Sequence, residues 1–308
     1  MLRFNSHTKA VLQALFVVFL WATSWVLIKI GLQDIPALTF AGLRYTLAFL
    51  CLLPLVFLSR QKTSLRKISK GTLWQLLVLG LLLYTITQGA IFLTLYYLPA
   101  VTVNLLWSFS TVMVALMGII WLAENPTRFQ WAGVLLATLG AVIYFYPATL
   151  VTNQLLGVLI AVVGVLANAG ASILGRDVNR RGDIHPMTVT TISMGIGALT
   201  LLAVGITVQG MPAIPLRGWI IIAWLAVVNT AFAFTLWNHT LRSLSAMESS
   251  IINGTMLIWI PILAVLFLQE EVSTKEVFGL VVVAVGTVIV QLRQPINISS
   301  FFGRWRKP

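Results

Sequence analysis

Residues 121–140 read WLAENPTRFQWAGVLLATLG, and residues 267–286 read FLQEEVSTKEVFGLVVVAVG. Laid over each other, Glu124 meets Glu270, Gly133 meets Gly279 and Gly140 meets Gly286, every pair 146 positions apart. A chain that writes one Glu-x8-Gly-x6-Gly phrase twice in register carries an internal repeat. The register extends outward from the phrase. Leu98-x-Ala100 matches Leu244-x-Ala246 at the same spacing, and Trp21 and Lys29 match Asn168 and Arg176 at 147. The helix-opening prolines Pro36 and Pro186 match at 150.

Composition says what medium the repeat lives in. Of 308 residues, 59% are hydrophobic and only 9% charged, with a mean hydropathy of +0.96. Soluble domains carry about 25% charged residues, so this chain cannot cover a water-facing surface and belongs in a bilayer. A membrane helix needs about 20 mostly apolar residues. Ten such runs follow one another: 10–31, 36–58, 72–96, 99–123, 128–146, 154–175, 186–208, 217–241, 245–268 and 274–292. Asp34 with Pro36 opens the second, Asp183 with Pro186 opens the seventh, and Pro147 closes the fifth. The first run extends to Gly31 without a small-x-small cleavage site, so it reads as a retained helix rather than a secretory signal.

The net charge of +12 orients the chain. Lys and Arg gather on the cytoplasmic side of membrane proteins. Here all of them except Lys29, Arg217, Lys275 and the intramembrane Arg44 fall on the side of the N-terminus. Both termini are therefore expected in the cytoplasm, and no nucleic-acid partner is implied. The single Cys51 makes neither a disulfide nor a cysteine metal site. The sequons at Asn238, Asn253 and Asn297 read as accidental.

Five spans per copy is an odd number, so the second copy enters the bilayer from the opposite side to the first. The expected fold class is all-α integral membrane: ten transmembrane helices as a 5+5 inverted-topology repeat. Residues 1–147 form the first copy, 148–293 the second, and 294–308 a basic tail. Copies related by an axis in the membrane plane recur in secondary transporters, which bind substrate near the midplane between them.

The stretch FLWATSWVLIKIGLQDIPALTFAGLRYTLAFL (19–50), the Leu-x-Ala ahead of a polar helix, Pro261 in IPILAVLFLQEE (260–271) and both Glu-x8-Gly-x6-Gly endings resemble the EamA family of the drug/metabolite transporter superfamily. The resemblance spans about 9–293. It implies a 5+5 inverted repeat, and export or exchange of small metabolites, often amino acids, across a bacterial inner membrane. It also implies a cavity between the halves with the fifth span of each outside it. One departure is visible: Ala115 stands where the second copy has Pro261.

Intramembrane polar and aromatic side chains are expected to face the bundle interior or a watery cavity. On the fourth span Asn104, Trp107, Ser108 and Thr111 recur at i, i+3, i+4 and i+7. On its repeat partner, the ninth, Ser249, Asn253 and Met256 do the same, with Asn253 over Trp107. Span 1 offers Trp21, Ser24 and Trp25, and Asn168 on span 6 is the repeat partner of Trp21. Span 3 adds Tyr84 and Gln88; span 8 adds Thr230, Phe234, Trp237 and Asn238. These side chains are the candidate substrate lining, although Ser, Thr and Asn also bridge packed helices.

Arg44 lies about 12 Å into span 2 at 1.5 Å per residue, where a charge is costly unless hydrated or paired. Two readings stand open. Its guanidinium attracts a substrate carboxylate or forms a gate, or it ties helix ends together through backbone carbonyls. Glu248, one turn into span 9, is the candidate for proton or charge coupling, or pairs with Arg242. Glu124 and Glu270 fall on opposite sides of the bilayer, each expected to cap the turn into the helix that follows it.

No H-E-x-x-H, Walker A, G-x-S-x-G or Cys/His cluster occurs, so neither an enzyme nor a metal or other cofactor is expected. No ring of filter residues suggests a channel. The expected partners are a small-molecule substrate and membrane lipid, with no obligatory protein partner evident. The sequence reading is a secondary transporter of small metabolites, amino acids or related compounds, working by alternating access. A multidrug or toxic-compound exporter on the same fold is the alternative.

Overall fold

The computed structural model describes residues 6–58, 69–122, 127–146, 152–181, 184–240, 243–244 and 246–291. Each expected span is a helix. α1 is Ser6–Gly31, α2 Ala37–Leu58, α3 Lys70–Tyr97, α4 Ala100–Leu122 and α5 Arg128–Phe145. α6 is Thr152–Arg181 and α7 Pro186–Gln209. α8 comprises Leu216–Ala226, Val227–Phe232 and Ala233–Thr240, and α9 comprises Ala246–Gly254 and Met256–Leu268. α10 is Thr274–Gln291. All ten are long and apolar enough to cross a membrane. α6 runs six residues past the apolar run that announced it, because lipid depth limits hydropathy whereas backbone hydrogen bonding continues beyond it.

Two spans widen into π-helix, and they do so at matching places. The segments are Leu81–Thr87 in α3 and Val227–Phe232 in α8, whose first residues are 146 apart. A π turn leaves a carbonyl without its ordinary helical donor. Here a threonine supplies one: Thr87 Oγ1 donates to Leu82 O and Thr230 Oγ1 to Leu225 O, each at 2.8 Å and each five residues back. α9 breaks at Thr255, between Gly254 and the stretch holding Pro261, whereas α4 is continuous with Ala115 in the corresponding position. Proline removes one ladder donor, so the departure in sequence falls on the copy whose helix is interrupted.

Glycines set the tightest crossing. A Cβ at Gly133 would lie 2.8 Å from Gly286 O and 2.7 Å from Val290 N; one at Gly279 would lie 2.8 Å from Gly140 O and 2.9 Å from Tyr144 N. Gly140 meets Val283 N and Gly279 O, while Gly286 meets Ala137 N and Gly133 O. Each contact is thus repeated with α5 and α10 exchanged. The numbering on the two helices runs in opposite senses, so they are antiparallel. Small residues allow this approach of backbones, the main source of helix association in lipid. On the opposite flank α2 packs along α7, where Gly42 lies against the Leu202 backbone and Gly205 against Thr39.

The bundle therefore has two ends. One, the terminal face, holds the start of α1 and the end of α10. The other, the far face, holds the turns α1–α2, α3–α4, α7–α8 and α9–α10. Capping boxes open both α5 and α10. Thr127 pairs with Gln130, and Ser273 with Glu276, again 146 residues apart. The expectation that Glu270 caps the turn into α10 is corrected by this arrangement. Ser273 and Glu276 already satisfy that helix start, and the Glu270 carboxylate instead accepts from Ala100 N and Val101 N at 2.6 and 3.1 Å, capping α4. Glu124, Pro147, Asp183, Arg242 and the tail 294–308 lie outside the described residues, as does the side chain of Asn238.

Candidate functional site

The most constrained polar group sits between the two π segments. Arg44 projects from α2 and is only 5% exposed. Its Nε and one Nη donate to Thr230 Oγ1 at 3.3 Å. The guanidinium carbon lies 5.1 Å from the Tyr45 ring and 6.0 Å from the Phe92 ring, two faces whose negative quadrupoles favour a cation. Among the described residues the bonds of Arg44 go to the Thr230 side chain and not to backbone carbonyls at helix ends. Tyr45 donates to Gln88 Oε1 at 2.6 Å and its ring packs against Tyr84. Arg44, Tyr84, Gln88 and Thr230 therefore form one neighbourhood built from α2, α3 and α8. Tyr84 also borders a cavity of about 200 Å³ between α3, α6 and α7, toward the terminal face, with Leu79, Gly175, Asn179 and Ser193 among its walls.

A second group collects the tryptophans of the sequence reading. Trp21 packs on Phe234 and Trp237 with ring centroids 5.3 and 5.2 Å away, joining α1 to α8. Trp25 is buried in the main core, and buried Ser24 turns back to Leu20 O. Asn104 donates to Met256 O at 3.2 Å, beside the break in α9, and Ser249 is buried while Asn253 is exposed. Trp107 is half-buried against Gly164 of α6, where a Cβ would come within 2.7 Å of the indole. The indole Nε1 of Trp21 and of Trp107 is enclosed without a hydrogen-bond partner. Ser108 donates within its own helix to Leu105 O, and Thr111 is half-buried. Asn168 accepts from Ser110 at 2.7 Å, which links α6 to α4. Glu248 stands apart at the terminal face, 3.0 Å from His7 Nε2.

Sequence periodicity missed three participants. Ser110 lies off the Asn104–Thr111 stripe because α4 packs on α6, α9 and α10, and each needs its own face. Tyr45 and Phe92 read as ordinary core aromatics until their rings appear around Arg44. Only the position of Tyr45, next to an intramembrane arginine, was a signal.

The two ends of the bundle differ. At the far face, Lys29 Nζ donates to Leu95 O and Leu98 O, both at 2.6 Å, and so closes α1 over the end of α3. Glu270 fastens α9 to α4 there, Leu38 N donates to Gln209 Oε1, Thr39 donates to Gly210 O, and Lys275 donates to Tyr146 O. At the terminal face the repeat partner of Lys29 is Arg176. It is exposed and makes no hydrogen bond or ion pair among the described residues, and no packing comparable to α1 on α3 joins α6 to α8.

The family model of the EamA-like transporters matches the chain twice, over residues 8–146 and 155–292. The chain belongs to the EamA-like transporter family. It is a multi-pass membrane protein. Curated relatives agree along nearly its whole length. The uncharacterized transporter YoaV of Bacillus subtilis is 25% identical, with 90% of this chain and 95% of that protein covered. The uncharacterized inner membrane transporter YedA of Escherichia coli K12 is 24% identical over 91% of this chain and 90% of its own. Protein PecM of Dickeya dadantii is 24% identical over 72% of this chain and 74% of its own. A solved crystal structure superposes with a TM-score of 0.64 over 92% of this chain and 98% of that one, at 16% identity, which is a likeness of fold.

Proposed function

We propose that this chain is a secondary carrier of small metabolites, amino acids or related compounds, exporting or exchanging them across a bacterial inner membrane by alternating access. It is not an enzyme on this reading. Residues 1–147 and 148–293 are two inverted copies, and the terminal face, rich in Lys and Arg, lies in the cytoplasm. Two matches to one family model, the π segments at equal spacing and the reciprocal, antiparallel α5–α10 crossing support the inverted relation.

The observation that carries the mechanism is the unequal state of two equivalent latches. Lys29 is fastened to α3 while Arg176 is loose. If the copies exchange conformations, Arg176 takes the end of α8 and Lys29 lets go, so the opening moves from one face to the other. A latch of two charge-assisted hydrogen bonds contributes about 1.5–3 kcal/mol per bond, so making one while breaking the other keeps the two states close in free energy. That balance is required, since a standing gap of about 5.5 kcal/mol would leave one state about 10⁴ times less populated and trap the carrier in the other.

The test is reconstitution in liposomes with labelled amino acids and cationic drugs offered on either side. Saturable, counter-stimulated uptake of an amino acid is expected. Failure of every solute to move in either direction sinks the carrier reading, and movement of drugs alone assigns the protein to multidrug export.

A further inference from the structure

We propose that Arg44 is the anchor for a carboxylate carried by the transported solute, which makes the cargo a small monoanionic or zwitterionic acid. The inference rests on the carrier reading above and adds a binding site to it.

Arg44 is a cation held 5% exposed at mid-depth, where an uncompensated charge costs several kcal/mol. The chain holds eight acidic residues, all at or near the ends of its spans. Six of them fall among the described residues, and none pairs with Arg44. Among these, Glu248 pairs with His7 at the terminal face. The hydrogen-bond partner of Arg44 is a neutral hydroxyl, and the rings of Tyr45 and Phe92 supply partial compensation only. Among the described residues no permanent counter-ion faces it, and one that arrives and leaves fits a carrier.

Geometry then selects the ligand. A guanidinium presents five N–H donors in a planar fork, and Thr230 engages Nε and one Nη. The other Nη is left for an outside acceptor. Thr230 is itself fixed by its bond to Leu225 O, so the fork is held at one orientation by the second copy while its stem belongs to the first. The anchor thus spans the interface that must rearrange during transport. One guanidinium neutralises one carboxylate. A phosphate dianion would leave a second negative charge buried with no further cation close by, so a carboxylate is the better match. Tyr84 touches both the cavity toward the terminal face and the ring of Tyr45, next to Arg44 in the chain.

The experiment compares acids with their amides on the full-length protein in lipid nanodiscs. Thermal unfolding is followed with L-leucine, L-phenylalanine, L-glutamine and pyruvate, then with L-leucinamide, L-phenylalaninamide and inorganic phosphate at matched concentrations. The expected result is stabilisation by at least one carboxylate, and none by its amide or by phosphate. Arg44→Lys keeps the charge but loses the fork and is expected to weaken that acid about tenfold; Arg44→Met should abolish its effect. The acid-against-amide comparison needs no variant, so it stands even if Arg44→Met does not fold. Equal stabilisation by an acid and its amide overturns the proposal, as does unchanged affinity in Arg44→Lys and Arg44→Met, or a panel in which no carboxylate binds. Liposome flux separates the two readings. If carboxylates bind through Arg44 but nothing is carried, the anchor stands and the carrier falls. If tetraphenylphosphonium alone is carried, the carrier stands and the anchor falls.

Discussion

Lys29 at the far face and Arg176 at the terminal face stand 147 positions apart, yet among the described residues only the first is fastened. Lys29, half-buried, holds the last carbonyls of α3. Arg176, at the corresponding place in α6, is exposed and holds nothing among the described residues. The α5–α10 crossing shows no such inequality, since each glycine contact on one helix has its counterpart on the other. Symmetry is kept in the α5–α10 crossing and in the capping boxes that open both helices, and lost at the Lys29 and Arg176 latches. A protein that only needed a stable bundle would gain nothing from leaving one of two equivalent latches undone.

The largest break in that comparison comes from removing what the two states share. Gly286→Ile would drive a branched side chain into Gly133 O and the Ala137 backbone. Backbone cannot yield as a side-chain tip does, so a loss of about 3 kcal/mol or more is expected, read as a fall in unfolding temperature and in the folded yield. A variant that unfolds like the parent would show that the crossing is not a bolt.

Trp107→Ala comes next. Its indole fills the space against Gly164 between α4 and α6, and the polar Nε1 has no protein partner. Uptake into liposomes is expected to fall to the level of empty vesicles while helicity and elution in detergent stay unchanged. Unfolding of this variant would instead make Trp107 a packing residue.

The latches themselves give the sharpest contrast. Lys29→Met removes two charge-assisted bonds and should lower stability by about 3–6 kcal/mol. Arg176→Met removes a side chain with no partner in this arrangement, so a change within about 0.5 kcal/mol is expected. On the proposed exchange of conformations, both should slow exchange about tenfold, equivalent to about 1.4 kcal/mol on the barrier. Equal stability effects would contradict the unequal latches, and normal exchange in Arg176→Met would remove its role in the other state.

Much of this was legible in the sequence. Bilayer thickness forces runs of about 20 apolar residues, so the spans appeared with small errors at their ends. Gly133, Gly140, Gly279 and Gly286 repeated in register because close backbone approach tolerates no other residue there. The stripe from Asn104 to Thr111 gave a face but not its partners. Asn104 finds Met256, and Ser110, off the stripe, finds Asn168. Such pairings join residues far apart in the chain, and helical period reports only direction around one axis. Lys29 was counted as a charge at the edge of the membrane, which gave orientation but not its grip on α3.

Glu270 is the smallest of the tests and bears on the same asymmetry. It was read as a cap for the helix that follows it, yet Ser273 and Glu276 perform that task, and its carboxylate crosses to the amides of Ala100 and Val101. An anion at a helix N-terminus accepts from free amides and meets the positive end of the helix dipole. Glu270→Gln keeps an acceptor oxygen and loses the charge, so stability should fall by about 1 kcal/mol. The loss should be suppressed by salt, since the contact lies at the far face near water. On the proposed exchange of conformations, losing this tie between α9 and α4 should also favour opening at the far face, raising the reactivity of thiols introduced near Ala100 in a Cys51→Ser background. A variant with reduced stability but unchanged thiol reactivity would leave Glu270 as a helix cap alone, and the closure of the far face would then rest on Lys29.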